Sequence, residues 1–161
     1  MPMSQIHKYI YSYQEQLASN SNLNPFDIRL LYTSIALCYL RLEIFDKALL
    51  YLEKVMEENF DNSSPFFFAA ICVLRGQKPF DLTRNEIEKI LEYINAAKLI
   101  EAKPIYEYFE AYIRYDYFAR KFIKVSPSWQ EALQKSNEAG TTETEIELFC
   151  QFLGVERPIC L

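Results

Sequence analysis

Glycine is scarce in this sequence, with only three among 161 residues. Apolar residues make up 50% of the chain and aromatic residues 16%. A composition rich in aromatic residues and poor in glycine suits packed helices better than a β-sandwich or a barrel. No segment alternates apolar and polar residues at the period of a strand. The sequence therefore predicts an all-α fold.

Histidine and closely spaced cysteines are also scarce. Histidine occurs once, at His7, and the four cysteines form no CxxC pair. Zinc and redox motifs therefore lack their ligands. The GxSxG, HExxH and glycine-rich phosphate-loop motifs are absent. We predict no enzyme, no cofactor and no metal, and keep an enzyme as a minor alternative because distant residues can assemble a site without a motif.

Basic residues are not gathered into a stripe, and the formal net charge is −5 with a pI near 5.0. The electrostatic footprint of a nucleic-acid-binding protein is thus missing. The longest nearly apolar run, residues 65–74, is too short to cross a bilayer. Polar residues interrupt the first 17 positions, so that segment does not resemble a signal peptide. These absences predict a soluble, cytoplasmic protein with neither nucleic acid nor membrane as partner.

Caps and breakers divide the chain into seven or eight helical segments. Asn24 followed by Pro25 marks one start, and Thr83 with Glu86 forms a capping box. Residues 105–122 contain no breaker and are predicted to form one long helix. The other helices are predicted at about residues 3–18, 25–42, 46–58, 65–75, 84–100, 126–139 and 143–153.

The chain also repeats itself at an offset of 34 residues. That offset aligns Tyr32 with Phe66, Ala36 with Ala70, Cys38 with Cys72 and Arg41 with Arg75. The stretch IALCY at 35–39, followed by FDKALLYL at 45–52, resembles the helix-turn-helix unit of the tetratricopeptide-repeat (TPR) family. Tyr32, Ile35, Ala36 and Tyr39 match its first helix, and Ala48, Leu52 and Val55 match its second.

The resemblance implies antiparallel helix pairs stacked into a short right-handed solenoid. One domain would cover residues 1–161, with a repeat core at about 25–122 and short C-terminal helices at about 126–154. A second unit begins at Ser64 but carries about eight additional residues around 77–83, predicted to form a projecting loop. Phe80 in that loop either tucks onto the helices or contacts a partner. A third unit opens at Ile105, but no second helix of the usual form follows.

In this family the first helix of each unit lines a concave surface, so the resemblance implies a groove for an extended peptide or a helix. Phe67, Ile71, Phe109 and Ile113 would anchor a protein or peptide partner, and Arg41 and Arg75 would orient it. The full set of candidate contacts is Thr33, Leu37, Arg41, Phe67, Ile71, Arg75, Phe109, Ile113 and Asp116.

The same residues fit a second arrangement. Aromatic and aliphatic side chains at helical spacing also form cores, and a segment at 129–153 that folds back would fill the groove. Arg41 and Arg75 lie near helix ends, where the helix dipole favours a cation without any ligand. Two functions therefore stay open: an adaptor or regulatory scaffold with an apolar groove, and a structural subunit that self-associates through its apolar surface.

Overall fold

The computed structural model describes residues 2–20, 22–57 and 61–161. Within these ranges the chain forms helices and no strand, which confirms the all-α prediction. The predicted end of the third helix at residue 58 and the start of the next loop lie outside the described residues. The α-helices are α1 (Met3–Ser19), α2 (Pro25–Arg41), α3 (Phe45–Met56), α4 (Ser64–Leu74), α5 (Arg84–Ile100), α6 (Pro104–Ile113), α7 (Trp129–Ala139) and α8 (Glu143–Leu153).

The capping signals operate as expected. Thr83 and Glu86 form a reciprocal capping box at the start of α5, and Thr142 and Glu145 form another at the start of α8. The Asn24 side chain accepts the N–H of the third residue of α2 at 2.8 Å. These side chains satisfy backbone donors that a helix leaves unpaired at its first turn. None of the described helices is long and apolar enough to cross a bilayer.

The predicted single helix over residues 105–122 is not uniform. The α-helix ends at Ile113, a π-helical turn spans Arg114–Phe118, and a 3-10 turn spans Ala119–Lys121. The buried carboxylate of Asp116 lies in the π-helical turn. No glycine or proline marks this change, so the sequence contains no breaker that predicts it.

The chain divides into two compact units, where the sequence predicts one domain. The N-terminal unit, Met1–Phe60, contains α1, α2 and α3, with α2 packed along α3 and α1 packed on α2. Ala36 of α2 and Ala48 of α3 are both fully buried. The ring of Tyr51 lies between those of Tyr32 and Tyr39, at 5.8 and 5.9 Å. This unit therefore contains the helix pair with the clearest match to the repeat.

The C-terminal unit, Asp61–Leu161, contains α4 to α8. Two helix pairs form it, α4 with α5 and α6 with α7, and α8 packs on α6. Ala70 of α4 and Ile90 of α5 are fully buried. The sequence placed α7 among the additions after the repeats, whereas here α7 is the helix that pairs with α6.

Ala36 and Ala70, equivalent in the repeat register, are expected to tolerate no larger side chain. Replacing either with leucine should lower the free energy of unfolding by about 1–3 kcal/mol, because both sites are fully buried on paired helices. Urea unfolding followed by circular dichroism measures this. Ala18→Leu and Ala139→Leu are controls at exposed helical alanines. If the buried variants unfold like these controls, the close helix contact is not where the repeat register puts it.

Candidate functional site

Three of the predicted contacts lie on α2, in the N-terminal unit. Thr33 and Leu37 are half-buried, and Arg41 is exposed in the last turn of the helix. The Thr33 hydroxyl donates to the carbonyl of Arg29 at 2.8 Å, which is a local helix contact. All three side chains retain some accessible surface, so a role in partner binding stays a prediction for them.

Four of the predicted contacts in the C-terminal unit are buried instead. Ile71 is 3% exposed, Phe109 and Ile113 are 0% exposed, and Asp116 is 5% exposed. Side chains without accessible surface cannot touch a partner while the helices remain packed in this way. The open surface expected from these residues is therefore not present in this arrangement, and they belong to the core of the unit.

Phe149 of α8 explains how this core is closed. Its ring centroid lies 4.9 Å from that of Phe109 and 6.1 Å from that of Phe67. The rings of Phe67 and Phe109 meet edge to face at 5.8 Å. Edge-to-face contacts of this kind stabilise aromatic clusters beyond the area that they bury. The C-terminal segment thus folds back over both anchors, completely over Phe109 and partly over Phe67, which is the second arrangement that the sequence leaves open.

Arg75 has a partner within its own unit. Its helix ends at Leu74, and Arg75 adopts a left-handed backbone conformation with φ of 52°. Its guanidinium group lies 2.6 Å from a carboxylate oxygen of Glu86. Burial alone raises the pKa of Glu86, but hydrogen bonds from Thr83 and Arg75 hold that pKa below its ordinary value. An internal ion pair accounts for Arg75 without a ligand.

Asp116 connects the loop at 77–83 to the end of α6. Its carboxylate accepts the backbone N–H of Phe80 at 2.9 Å and an N–H of Arg120 at 2.8 Å. The Phe80 ring also contacts Arg120 and Lys121, whose charged groups lie 4.6 and 4.7 Å from its centroid. Phe80 is 36% exposed, neither buried nor free in solvent. These contacts hold the loop against the turns that follow α6, and Asp116 therefore has a structural role.

A different apolar groove is open in this unit. We call it the α4–α8 groove, and its volume is about 320 Å³. Leu148 and Phe152 of α8 are 60% and 50% exposed along it. The ring of Phe68 lies 6.2 Å from that of Phe152. The lining residues are Phe67, Phe68, Ile105, Glu145, Leu148, Phe149 and Phe152.

The sequence contained a signal for this groove. Helix α8 buries Ile146, Phe149 and Leu153 on one face. Leu148 and Phe152, four residues apart, then form a second apolar strip on the exposed side. A surface helix needs only one apolar face to pack on its core. The second strip is apolar surface beyond what the packing of the helix requires.

Among the residues that line the groove, the charged one is Glu145, which is acidic. Helix α8 carries Glu143, Glu145 and Glu147 and contains neither lysine nor arginine. Glu143 is paired with Arg157, whose hydrogen bond holds the pKa of Glu143 below its ordinary value. The arrangement suits a ligand that is apolar at its centre and basic at its edge.

The two buried thiols of this unit are not activated. Burial raises the pKa of Cys72 to about 12 and raises the pKa of Cys150. Both cysteines are therefore protonated thiols at neutral pH rather than nucleophilic thiolates. In the part of the chain that the structure describes, no three His, Cys, Asp or Glu side chains are grouped so as to hold a metal ion.

Comparisons with protein-family models, with curated proteins and with solved structures find no match to this chain.

Proposed function

We propose that this chain is a TPR-like protein-interaction module, and that a helix of a partner protein docks in the α4–α8 groove. The observation that carries the proposal is the exposed strip of Leu148 and Phe152 beside the half-buried Phe68. Contiguous apolar surface of this kind on a folded protein commonly marks an interaction site. Phe149, which closes the core beneath the strip, also lines the groove.

Shape and charge favour an amphipathic partner helix. A groove between helices accepts the apolar face of another helix, whose anchors recur at three- and four-residue spacing. Glu145 lines the groove and no basic residue of α8 offsets its charge. Lysine or arginine beside the apolar anchors of the partner would therefore be favoured over acidic residues.

The wider architecture is part of the same proposal. The pairs of α2 with α3 and of α4 with α5, described within their own units, support a TPR-like repeat. Their stacking into a right-handed solenoid and a cytoplasmic location stay predictions. The proposed groove involves α8, which follows the repeat core, so it differs from the concave surface that the family resemblance implies.

Selection from a displayed library of peptides tests the groove. The library is bound to the whole chain and depleted against the Leu148→Ser variant. We expect the enriched peptides to place apolar residues at helical spacing with lysine or arginine beside them. Leu148→Ser should weaken binding of a selected synthetic peptide about 30-fold, the loss typical of a central interface anchor. Fluorescence anisotropy of the labelled peptide gives the dissociation constants.

Leu99→Ser is the matched control, because Leu99 is an exposed leucine of the same unit that does not line the groove. It should leave the peptide affinity unchanged. Enrichment of unpatterned peptides, or equal losses in both variants, would contradict the proposal. Light scattering separates the alternative: a chain that dimerises alone, and becomes a monomer only in Leu148→Ser, uses the strip for self-association.

A further inference from the structure

Phe122 occupies a backbone position that normally belongs to glycine. It ends the 3-10 turn Ala119–Lys121 with φ of 58°. The N–H of Phe122 donates to the carbonyl of Ala119 at 3.0 Å, and that of Ile123 donates to the carbonyl of Phe118 at 2.9 Å. This pair of bonds is the Schellman pattern of helix ends, in which the left-handed residue is usually glycine. A bulky aromatic residue in that conformation is an outlier.

Folding does not bury the side chain of Phe122. Phe122 is 95% exposed, so its ring contributes almost no burial to offset the backbone strain. Glu43 and Arg75 also have left-handed backbones at helix ends, but both expose charged side chains that water solvates, whereas Phe122 exposes an apolar ring. Strain that is retained without a packing benefit points to a function of the residue.

Phe122 lines the mouth of a concave surface, which we call the Trp129 cleft. The cleft has a volume of about 500 Å³, and Ile123, Val125 and Trp129 form its other apolar walls. The ring of Tyr115 packs edge to face against that of Trp129, with the two ring centroids 5.3 Å apart. The cleft shares no lining residue with the α4–α8 groove. It is therefore an independent surface.

The free charge at the cleft is basic. The charged residues that line it are Arg114 and Lys124, and the guanidinium group of Arg114 is already paired with the buried Glu110 at 3.0 Å. Residues 114–130 include four basic residues and one acidic residue, with the acidic Glu110 and Glu131 just outside that range. That acidic residue, Asp116, is already paired with Arg120. Lys124 is exposed and has no ion pair among the described residues.

We propose that the Trp129 cleft binds an acidic peptide segment of a partner protein, with one bulky apolar side chain inserted beside Phe122. Apolar walls accommodate the inserted side chain, and the lysine at the rim attracts the carboxylates around it. A concave cleft encloses a side chain on several sides, whereas a flat lipid surface touches only the protruding tip. The geometry thus favours a peptide over an anionic membrane.

Trp129 is the single tryptophan of the chain and lines the cleft, so its fluorescence reports occupancy directly. The probes are synthetic peptides, free of tryptophan, in which one Phe or Leu is surrounded by Asp and Glu. Matched peptides carry Lys in place of the acidic residues. Vesicles of phosphatidylcholine with phosphatidylserine form the third arm. We expect a saturable change with the acidic peptides only.

Two variants identify the residues responsible. Phe122→Gly should weaken binding of the acidic peptide about 30-fold. It should also raise the melting temperature of the protein by roughly 4 °C, because glycine relieves the backbone strain. Opposite effects on binding and stability rule out misfolding as the cause of the binding loss. Lys124→Glu should weaken binding about tenfold and reduce its salt dependence. Lys135→Glu makes the same charge change away from the cleft lining and should leave binding unchanged.

Several outcomes would overturn the proposal. If no acidic peptide gives a saturable change, or if the lysine peptides bind equally well, the cleft does not bind an acidic peptide specifically. A response to vesicles alone would replace the peptide with a lipid surface. An unchanged affinity in Phe122→Gly would show that the strained residue does not serve this cleft.

Discussion

Glu110→Ala is expected to lower the free energy of unfolding of the C-terminal unit by about 3–5 kcal/mol, the range found when one partner of a buried ion pair is removed. Glu110 is 4% exposed. One of its carboxylate oxygens accepts from Lys98 at 2.8 Å, and the other accepts from Arg114 at 3.0 and 3.2 Å. Truncation removes the carboxylate that Lys98 and Arg114 share, and both cations have little access to solvent.

Trp129 allows this loss to be measured in the right part of the chain. It is the only tryptophan and lies in the C-terminal unit, so its fluorescence follows the unfolding of that unit in urea. Glu92→Ala is the matched control, because Glu92 is 70% exposed and lies 3.6 Å from Lys89. Such a surface pair is worth at most about 1 kcal/mol. Equal losses in the two variants would show that Glu110 is not a buried charge.

The contribution of Glu110 should also depend on pH. Burial alone raises its pKa, but hydrogen bonds and charges from Lys98 and Arg114 outweigh burial and hold the pKa below its ordinary value. A carboxylate with a lowered folded pKa stabilises the protein above its unfolded pKa, about 4.3, and loses this contribution as the pH falls through the folded pKa. The stability gap between the wild type and Glu110→Gln should therefore be full at neutral pH and narrow below about pH 4.

Local signals predicted the helices well. Thr83 with Glu86 and Thr142 with Glu145 are short-range patterns whose chemistry is complete within four residues. A capping box therefore needs no knowledge of the rest of the fold. The π-helical turn at Arg114–Phe118 was missed because it involves no special residue and depends on what surrounds the buried Asp116.

The candidate site could not be predicted from the same signals. Periodicity identifies the apolar face of a helix but does not say which other helix covers it. Phe67 and Phe109 have the spacing of groove residues, and Phe149, at least 40 residues further along the chain, covers Phe109 completely and Phe67 in part. Phe122 gave no sequence signal, because a left-handed φ at a phenylalanine runs against every propensity.

Phe149→Ala is expected to produce an equally large loss, about 3–5 kcal/mol, because it removes a buried aromatic ring and leaves a cavity. Phe149 is 5% exposed, and its ring contacts those of Phe67, Tyr108 and Phe109. Loss of the ring also opens the cover over Phe109. We therefore expect increased binding of the dye ANS to the variant under native conditions, together with an earlier urea transition in Trp129 fluorescence.

Phe152→Ala separates the core role of Phe149 from the effect of shortening any aromatic side chain on α8. Phe152 lies three residues further along the same helix and is 50% exposed, so about half of its apolar surface is already in water. Its truncation should cost only about 1 kcal/mol and leave ANS binding unchanged. In the peptide assay it should nevertheless weaken binding, because Phe152 lines the α4–α8 groove. If Phe149→Ala and Phe152→Ala cost the same stability, α8 does not close the core as described, and Phe109 returns as a candidate for an open groove.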